Sequence, residues 1–336
     1  MKYATGRNPV NTKEQLLAYF REDYGKWISG ELLSGKMGVS RSAVWKQVSK
    51  LRREGYEISS SPKKGYRFLG APELLLPAEI REGLETGTFG RKEIAYFADL
   101  ESTNGKAREL AAAGAPEGTL VIAEEQRRGR GRRGRSWYSP PRMGIYASLI
   151  LRPKLPPHQA PKITLVAGVS VAEALLAATP LRPKIKWPND ILVGGRKICG
   201  ILTESSTEMD AIDYVVLGVG INVNTPDFPR ELKETATSVL LESGSPFGRV
   251  KVLQEFLRQF EHGYASFLQS GFEAIGERWG ELSLLTGKQV LVTMIDRSCR
   301  GRVVHLDQDG ALLIKDKDGE LEKIYSGDIK VLQEEQ

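Results

Sequence analysis

The chain has 336 residues, 27% of them charged and 40% hydrophobic, a balance that suits a soluble protein of two or three domains with a sizeable core. Cys199 and Cys299 lie far apart and His158, His262 and His305 are scattered, which excludes a disulfide framework and leaves no metal site among His and Cys. No apolar stretch is expected to approach the roughly 20 residues of a membrane span, and Met1–Arg7 has no apolar leader, so a cytoplasmic location without a membrane is expected.

The net charge of +6 is unevenly spread: residues 1–70 hold 14 Lys/Arg against 6 Asp/Glu, leaving the rest slightly acidic. This basic segment carries three predicted helices. The first covers 12–25, with Thr12 as N-cap, Leu16, Leu17 and Phe20 as its apolar face and Gly25 at its end. The second covers Ser29–Ser34, followed by a turn over Gly35–Val39. Ser40 caps the third, Arg41–Glu54, whose Val44, Val48 and Leu51 face inward. A short helix, a glycine-containing turn and a basic helix form the helix-turn-helix pattern. Arg41, Ser42, Trp45, Lys46 and Ser49 occupy the outer face of the third helix and mix phosphate-binding with base-reading side chains. Strands at Tyr56–Ser59 and Tyr66–Leu69 flank a tip containing Lys63 and Lys64, the wing of a winged helix. Nucleic acid is the partner this charge distribution implies.

Residues 71–77, with two prolines, read as a linker. Within 78–282, strands are expected at Ile94–Phe97, Thr119–Ala123, Ile145–Ile150, Lys184–Lys186, Lys197–Glu204 and Tyr214–Val223. Helices are expected at Thr103–Ala113 and Ala160–Ala178, the second rich in alanine and valine and therefore buried. Runs of consecutive strands favour a mixed α+β sheet over a doubly wound one. In 283–336, strands at Gln289–Met294, Arg300–Leu306, Ala311–Lys315 and Leu321–Tyr325 alternate with Asp-Gly turns, the pattern of a small β-barrel of SH3-like size. The fold class is thus multidomain α+β.

Six arginines between Arg127 and Arg135 interleave with Gly129, Gly131 and Gly134. Glycines let backbone amides approach an anion, and arginine supplies a forked, permanently charged donor. With no acid inside it, such a loop is expected to stay mobile until an anionic ligand orders it; a solvated basic loop has the same composition. The spelling G-x-G-x-x-G is not a dinucleotide fingerprint here, because Arg135–Pro141 cannot open a helix and no acidic residue follows at the ribose distance. No Walker loop is present.

Ser102-Thr103-Asn104, Gln126, the arginine–glycine loop, Lys186-Trp187-Pro188-Asn189-Asp190, Lys197–Glu204 and Gly218–Asn224 occur in this order, and together the chain resembles the biotin protein ligases. Its basic N-terminal segment makes it similar to their bifunctional branch, the biotin operon repressors. The resemblance implies that biotin and ATP form biotinyl-5′-adenylate and pyrophosphate with Mg²⁺, and that a lysine of a biotin carboxyl carrier protein, of acetyl-CoA carboxylase or another biotin-dependent carboxylase, then takes the biotinyl group. It implies a catalytic set of Arg130, Arg132, Lys186, Asp190 and Lys197, with Arg130, Arg132 and Lys197 on the carboxylate and α-phosphate. Biotin would meet Ser102, Thr103, Asn104, Gln126, Arg130, Gly131, Arg132, Trp137, Lys197, Gly200 and Leu202. Nucleotide would meet Arg132, Arg135, Trp137, Asn189 and Asn222. Asp190 would hold Mg²⁺ or orient the lysine amine. Operator DNA would meet Arg41, Ser42, Trp45, Lys46, Lys63 and Lys64, and the adenylate would favour a homodimer. A biotin-sensing regulator without ligase activity, or a ligase whose N-terminal domain no longer represses, are the alternatives; lipoate ligases share a related catalytic fold.

Overall fold

The computed structural model describes residues 12–208 and 211–332, so the reading of Met1–Arg7 lies outside the described residues. The chain divides into two compact units at Glu73/Leu74.

The first unit contains α1 (Thr12–Glu22), β1 (Trp27–Ile28), α2 (Gly30–Met37), α3 (Arg41–Arg53), β2 (Glu57–Ser61) and β3 (Gly65–Gly70). Leu16, Leu17, Phe20, Leu33, Val44, Val48 and Leu51 form its buried core, as the helical spacing requires. Ser29 and Ser40 cap α2 and α3 by accepting hydrogen bonds from Leu32 N (3.0 Å) and Ala43 N (3.2 Å). Three expectations change. α1 stops at Glu22, short of Gly25. α2 runs through Gly35 to Met37 and stops at Gly38, whose left-handed φ of 65° closes the helix. β1, too short to show a period, adds a third strand by pairing with β3.

The second unit opens with Leu75 and Leu76 buried and with Pro77 starting a helix, so the linker is shorter than 71–77: apolar side chains here bury instead of bridging. Its elements are α4 (Pro77–Arg81), β4 (Ile94–Phe97), α5 (Thr103–Ala112), β5 (Leu120–Ala123), β6 (Gly144–Leu151), α6 (Ala160–Ala178), β7 (Lys184–Lys186), β8 (Asp190–Val193), β9 (Arg196–Glu208), β10 (Ala211–Asn222), α7 (Val239–Ser243), α8 (Arg249–Ser270) and α9 (Glu273–Leu282). β11 (Gln289–Thr293), β12 (Ser298–Leu306), β13 (Leu312–Lys315), β14 (Leu321–Ile324) and β15 (Asp328–Val331) complete it. A seven-stranded sheet has the order β4-β5-β6-β10-β9-β8-β7, parallel only between β4 and β5. The last five strands form an antiparallel sheet, β14-β13-β12-β11-β15, and share one apolar core with the larger sheet.

Alternation sets the two faces of the large sheet. Ile145, Ala147, Leu149, Val215, Leu217, Val219 and Ile201 join the core built on α6, α8 and α9. α5 covers part of the other face, packing Ala107 and Ala111 on Val121, Ile150 and Val216. The expectation that no stretch is long and apolar enough for a membrane needs correction: Pro157–Ala178 meets that test by length and composition, and most of it is buried because it is the central core helix. α8 and α9 were not anticipated, although Val252, Phe256, Phe260, Tyr264 and Phe267 of α8 carry a helical spacing and are buried.

Candidate functional site

The α5 face of the sheet is left open where Gly200, Gly218 and Gly220 replace side chains, and α5 begins beside this gap. Glycine is required there by close approach. A Cβ on Gly218 would overlap the Asn104 amide, and one on Gly220 would overlap the Trp137 indole. Ser102 caps α5 through Gly105 N (3.4 Å), which places Thr103 and Asn104 at the gap. Thr103 N and Oγ1 donate to Gln126 Oε1 at 2.9 and 3.1 Å.

Two cavities meet here. A small one of about 50 Å³ is lined by Ser102, Thr103, Asn104, Gln126, Arg130, Gly200 and Leu202, among others. A larger one of about 460 Å³ is lined by Arg133, Arg135, Lys186, Trp187, Asp190, Asn222 and residues of 228–236 and 327–329. Gly131, Arg132, Trp137, Asn189 and Lys197 wall both. Trp137 lies over the glycines with Lys197 Nζ 5.3 Å from its ring centroid, and its buried indole N–H has no partner. The β8–β9 turn at Gly194-Gly195, both with positive φ, brings Lys197 back beside Asp190, Nζ to Oδ1 at 2.7 Å. Burial first, and then Arg133, lower the Arg132 guanidinium pKa, so this cation is one that an anion would stabilise.

The arginine loop is not a strip of uncompensated charge. Asp99 and Glu101 take Arg127, Glu101 takes Arg128, Glu204 takes Arg130, and Asp328 takes Arg133 and Arg135 at 2.9 and 2.8 Å. The acids lie far away in sequence, which is why a local reading left these charges unpaired. No helix follows Gly134, in keeping with the rejected dinucleotide fingerprint.

Placement also separates residues that the sequence grouped. Arg130 lines the small cavity together with Arg132 and Lys197, with its Nη2 3.3 Å from Glu204 Oε1, and it is absent from the lining of the large cavity. Asn189 accepts from Arg132 Nη1 and donates to Ile201 O, both at 3.0 Å, which orients its amide and leaves one N–H and one lone pair unused by these two bonds. Asn222 donates Nδ2 to Thr237 O (3.0 Å) and leaves a buried, unpartnered Oδ1 at the large cavity. Lys186 pairs with Asp190 in the β7–β8 register. Ser148, Glu204 and Asp328 went unrecognised as site residues; only Glu204 stood inside a motif that the sequence displays. In the first unit, Arg41, Ser42, Trp45 and Lys46 are exposed along α3, and Lys63 and Lys64 are exposed at the β2–β3 turn.

A model described as the Biotin/lipoate A/B protein ligase family matches residues 96–222, one described as an HTH domain matches 12–67, and one described as the biotin protein ligase C terminal domain matches 285–332. The bifunctional ligase/repressor BirA of Bacillus subtilis (strain 168) is 41% identical over 321 residues, 95% of this chain and 98% of that protein. BirA of Escherichia coli (strain K12) is 30% identical over 91% of this chain and 94% of its own. A solved biotin protein ligase from Aquifex aeolicus, in complex with biotin and ATP, matches with TM-score 0.63 and 29% identity over 72% of this chain and 99% of that one. The likeness to BirA runs through the helix-turn-helix unit and the ligase fold together, and the chain therefore belongs to the bifunctional ligase/repressors of the biotin protein ligase family.

Proposed function

We propose that this chain joins biotin to ATP as biotinyl-5′-adenylate, passes the biotinyl group to one lysine of a carboxylase's carrier protein, and represses biotin-synthesis genes when the adenylate is bound. The observation that carries this reading is the shared wall: one small polar cavity and one large cavity meet at Arg132 and Lys197. The small cavity suits the ureido head, a neutral group needing donors and acceptors, once Trp137 yields room. Biotin's carboxylate then reaches the shared cations, and ATP takes the large cavity. A carboxylate oxygen attacks the α-phosphorus and pyrophosphate leaves. In the second step the lysine amine attacks the mixed anhydride, losing a proton and releasing AMP. Both nucleophiles belong to substrates, so the protein contributes position and positive charge.

Of the acids on the large cavity, Asp190 stands beside Lys197 and its second oxygen suits one Mg²⁺ contact, since Mg²⁺ takes one or two carboxylates and completes its shell with phosphates and water. Bound there, the ion would share the phosphate charge. Asn222 Oδ1, a buried acceptor without a donor, suits adenine's exocyclic amine and disfavours the carbonyl of guanine.

Incubation with biotin and ATP is expected to release pyrophosphate and to leave biotinyl-adenylate on the protein by mass spectrometry, with GTP at least roughly tenfold poorer. Activity with lipoate in place of biotin would overturn the substrate assignment.

One recognition helix spans few base pairs, so repression needs two copies on a two-fold operator. The adenylate is expected to shift the protein to a homodimer through exposed sheet edges, and linkage then tightens adenylate binding equally. Sedimentation with and without biotin plus ATP, beside a gel shift on a biotin-synthesis promoter, tests this. A protein that stays monomeric with adenylate where it binds that DNA rules the mechanism out.

A further inference from the structure

Glu204 stands behind the small cavity and is not part of its wall, yet it ends a hydrogen-bond chain that runs through that wall. Its Oε2 accepts from Asn104 Nδ2 at 2.8 Å, and Leu202 O accepts from the same nitrogen at 3.2 Å. A carboxylate and a carbonyl only accept, so the buried Asn104 amide has one permitted orientation. Its Oδ1 therefore faces the fully buried Ser148 Oγ, which donates at 2.7 Å and also lies 2.9 Å from Thr103 Oγ1. The Thr103 hydroxyl gives its proton to Gln126 Oε1.

A second chain is set by the backbone. Thr103 N–H only donates, which fixes Gln126 Oε1 toward it at 2.9 Å. Gln126 Nε2 then donates to Ser139 Oγ (2.9 Å), and Ser139 donates to Trp137 O (3.2 Å). With the Ser148 proton on Asn104 Oδ1 and the Thr103 proton on Gln126 Oε1, the Ser148–Thr103 contact carries no proton, so one chain runs from Glu204 through Asn104 to Ser148 and another from Thr103 through Gln126 to Trp137 O. Gln126 keeps a second N–H for a ligand, and Thr103 Oγ1 or Asn104 Oδ1 keeps lone pairs. Arg130 and Arg108 flank the other Glu204 oxygen, Oε1, at 3.3 and 3.8 Å.

We propose that Glu204 is a positioning residue for ligand selectivity: its carboxylate holds Asn104 so that the small cavity offers acceptors to the ureido N–H groups, without touching the ligand. The proposal rests on the ligase reading above. An amide at 204 keeps its oxygen toward Arg130 and Arg108 and so turns its NH₂ toward Asn104, where it competes with Leu202 O for the sense of the Asn104 amide; where Asn104 reverses, it offers a donor in place of an acceptor.

The test uses the full-length protein, titrated calorimetrically with biotin, with the cyclic carbamate analogue that carries a ring oxygen in place of one ureido N–H and, separately, with ATP. The two heads share the carbonyl and differ by an N–H donor against an acceptor oxygen, so the pair reports the donor or acceptor sense that Asn104 presents. Glu204→Gln is expected to weaken biotin binding roughly tenfold or more, to change the carbamate analogue by no more than about twofold and to leave ATP unchanged, whereas Glu204→Asp restores most of the preference. A merely structural role would lower both analogues in proportion, together with the unfolding temperature, and that result overturns the proposal. So does a Glu204→Gln protein with the wild-type ratio. Failure of the wild type to bind biotin is a separate result, and it would overturn the ligase reading itself.

Discussion

Replacing Lys197 by alanine is expected to slow adenylate formation roughly 100- to 1000-fold while barely moving thermal unfolding. Lys197 Nζ is the cation that stands against Asp190, borders both cavities and faces the Trp137 ring. In the proposed reaction, charge developing on the α-phosphate would fall to this group and to Arg132. The Lys197–Asp190 pair is partly open to solvent, at 32% and 26% side-chain exposure, and such pairs contribute at most about 1 kcal/mol to folding. The rate and stability effects should therefore separate. Pyrophosphate release and unfolding are to be measured on the same preparation, with Lys197→Arg as the charge-keeping control. A variant that unfolds early in proportion to its lost activity would place Lys197 in the scaffold, and one that keeps its full rate would remove it from the site.

Arg249→Met is expected to act in the reverse way, through stability. Arg249 and Glu124 are an ion pair almost without solvent exposure, joined at 2.7 Å. Glu124 also accepts from Leu75 N (2.7 Å), and Arg249 donates to Gly144 O (3.0 Å), so the pair ties the start of the second unit, β5, β6 and α8 together. Methionine fills similar volume and leaves Glu124 buried without its charge partner. Breaking such a pair costs about 3–5 kcal/mol. At about 2–4 °C per kcal/mol for a unit of this size, the unfolding temperature should fall by roughly 6–20 °C. The double variant Glu124→Leu/Arg249→Met should recover part of the loss, because no charge is then stranded. A drop under about 1 kcal/mol would mean that water or another group reaches Glu124 and that the pair is not a brace.

The same region sets a pH limit. Burial first, and then the Glu124 charge, push the Tyr96 phenol up to about 12. The native state keeps that proton where an unfolded chain, with a tyrosine near 10, has lost it. Its contribution is therefore complete below pH about 10 and disappears as the pH rises through about 12. Unfolding midpoints across this interval should fall less steeply in Tyr96→Phe than in the wild type.

The helices of the first unit were legible because their information is local. Leu16, Leu17 and Phe20, or Val44, Val48 and Leu51, share a face whatever they pack against, and Ser29 and Ser40 cap the next turn of their own chain. Most of the strands and the order of the motifs that carry the family resemblance were legible for the same reason. β1 and β15 were not, since such short segments show no period and each pairs with a strand about forty residues away, and β8 was missed although its neighbours β7 and β9 were expected. The arginine loop was misjudged where partners mattered most. Its positive run is plain between Arg127 and Arg135, but the acids that take it stand at Asp99, Glu101, Glu204 and Asp328. Residue type announced an anion site, and the family resemblance put Arg130, Arg132 and Lys197 in it. That Arg130 faces Glu204, that Asn189 accepts from Arg132, and that Asn222 keeps a buried acceptor without a donor are results of strand register and chain crossing. A side chain's chemistry is local, but its partner is chosen by the fold, and the partner decides whether the group is free to meet a ligand.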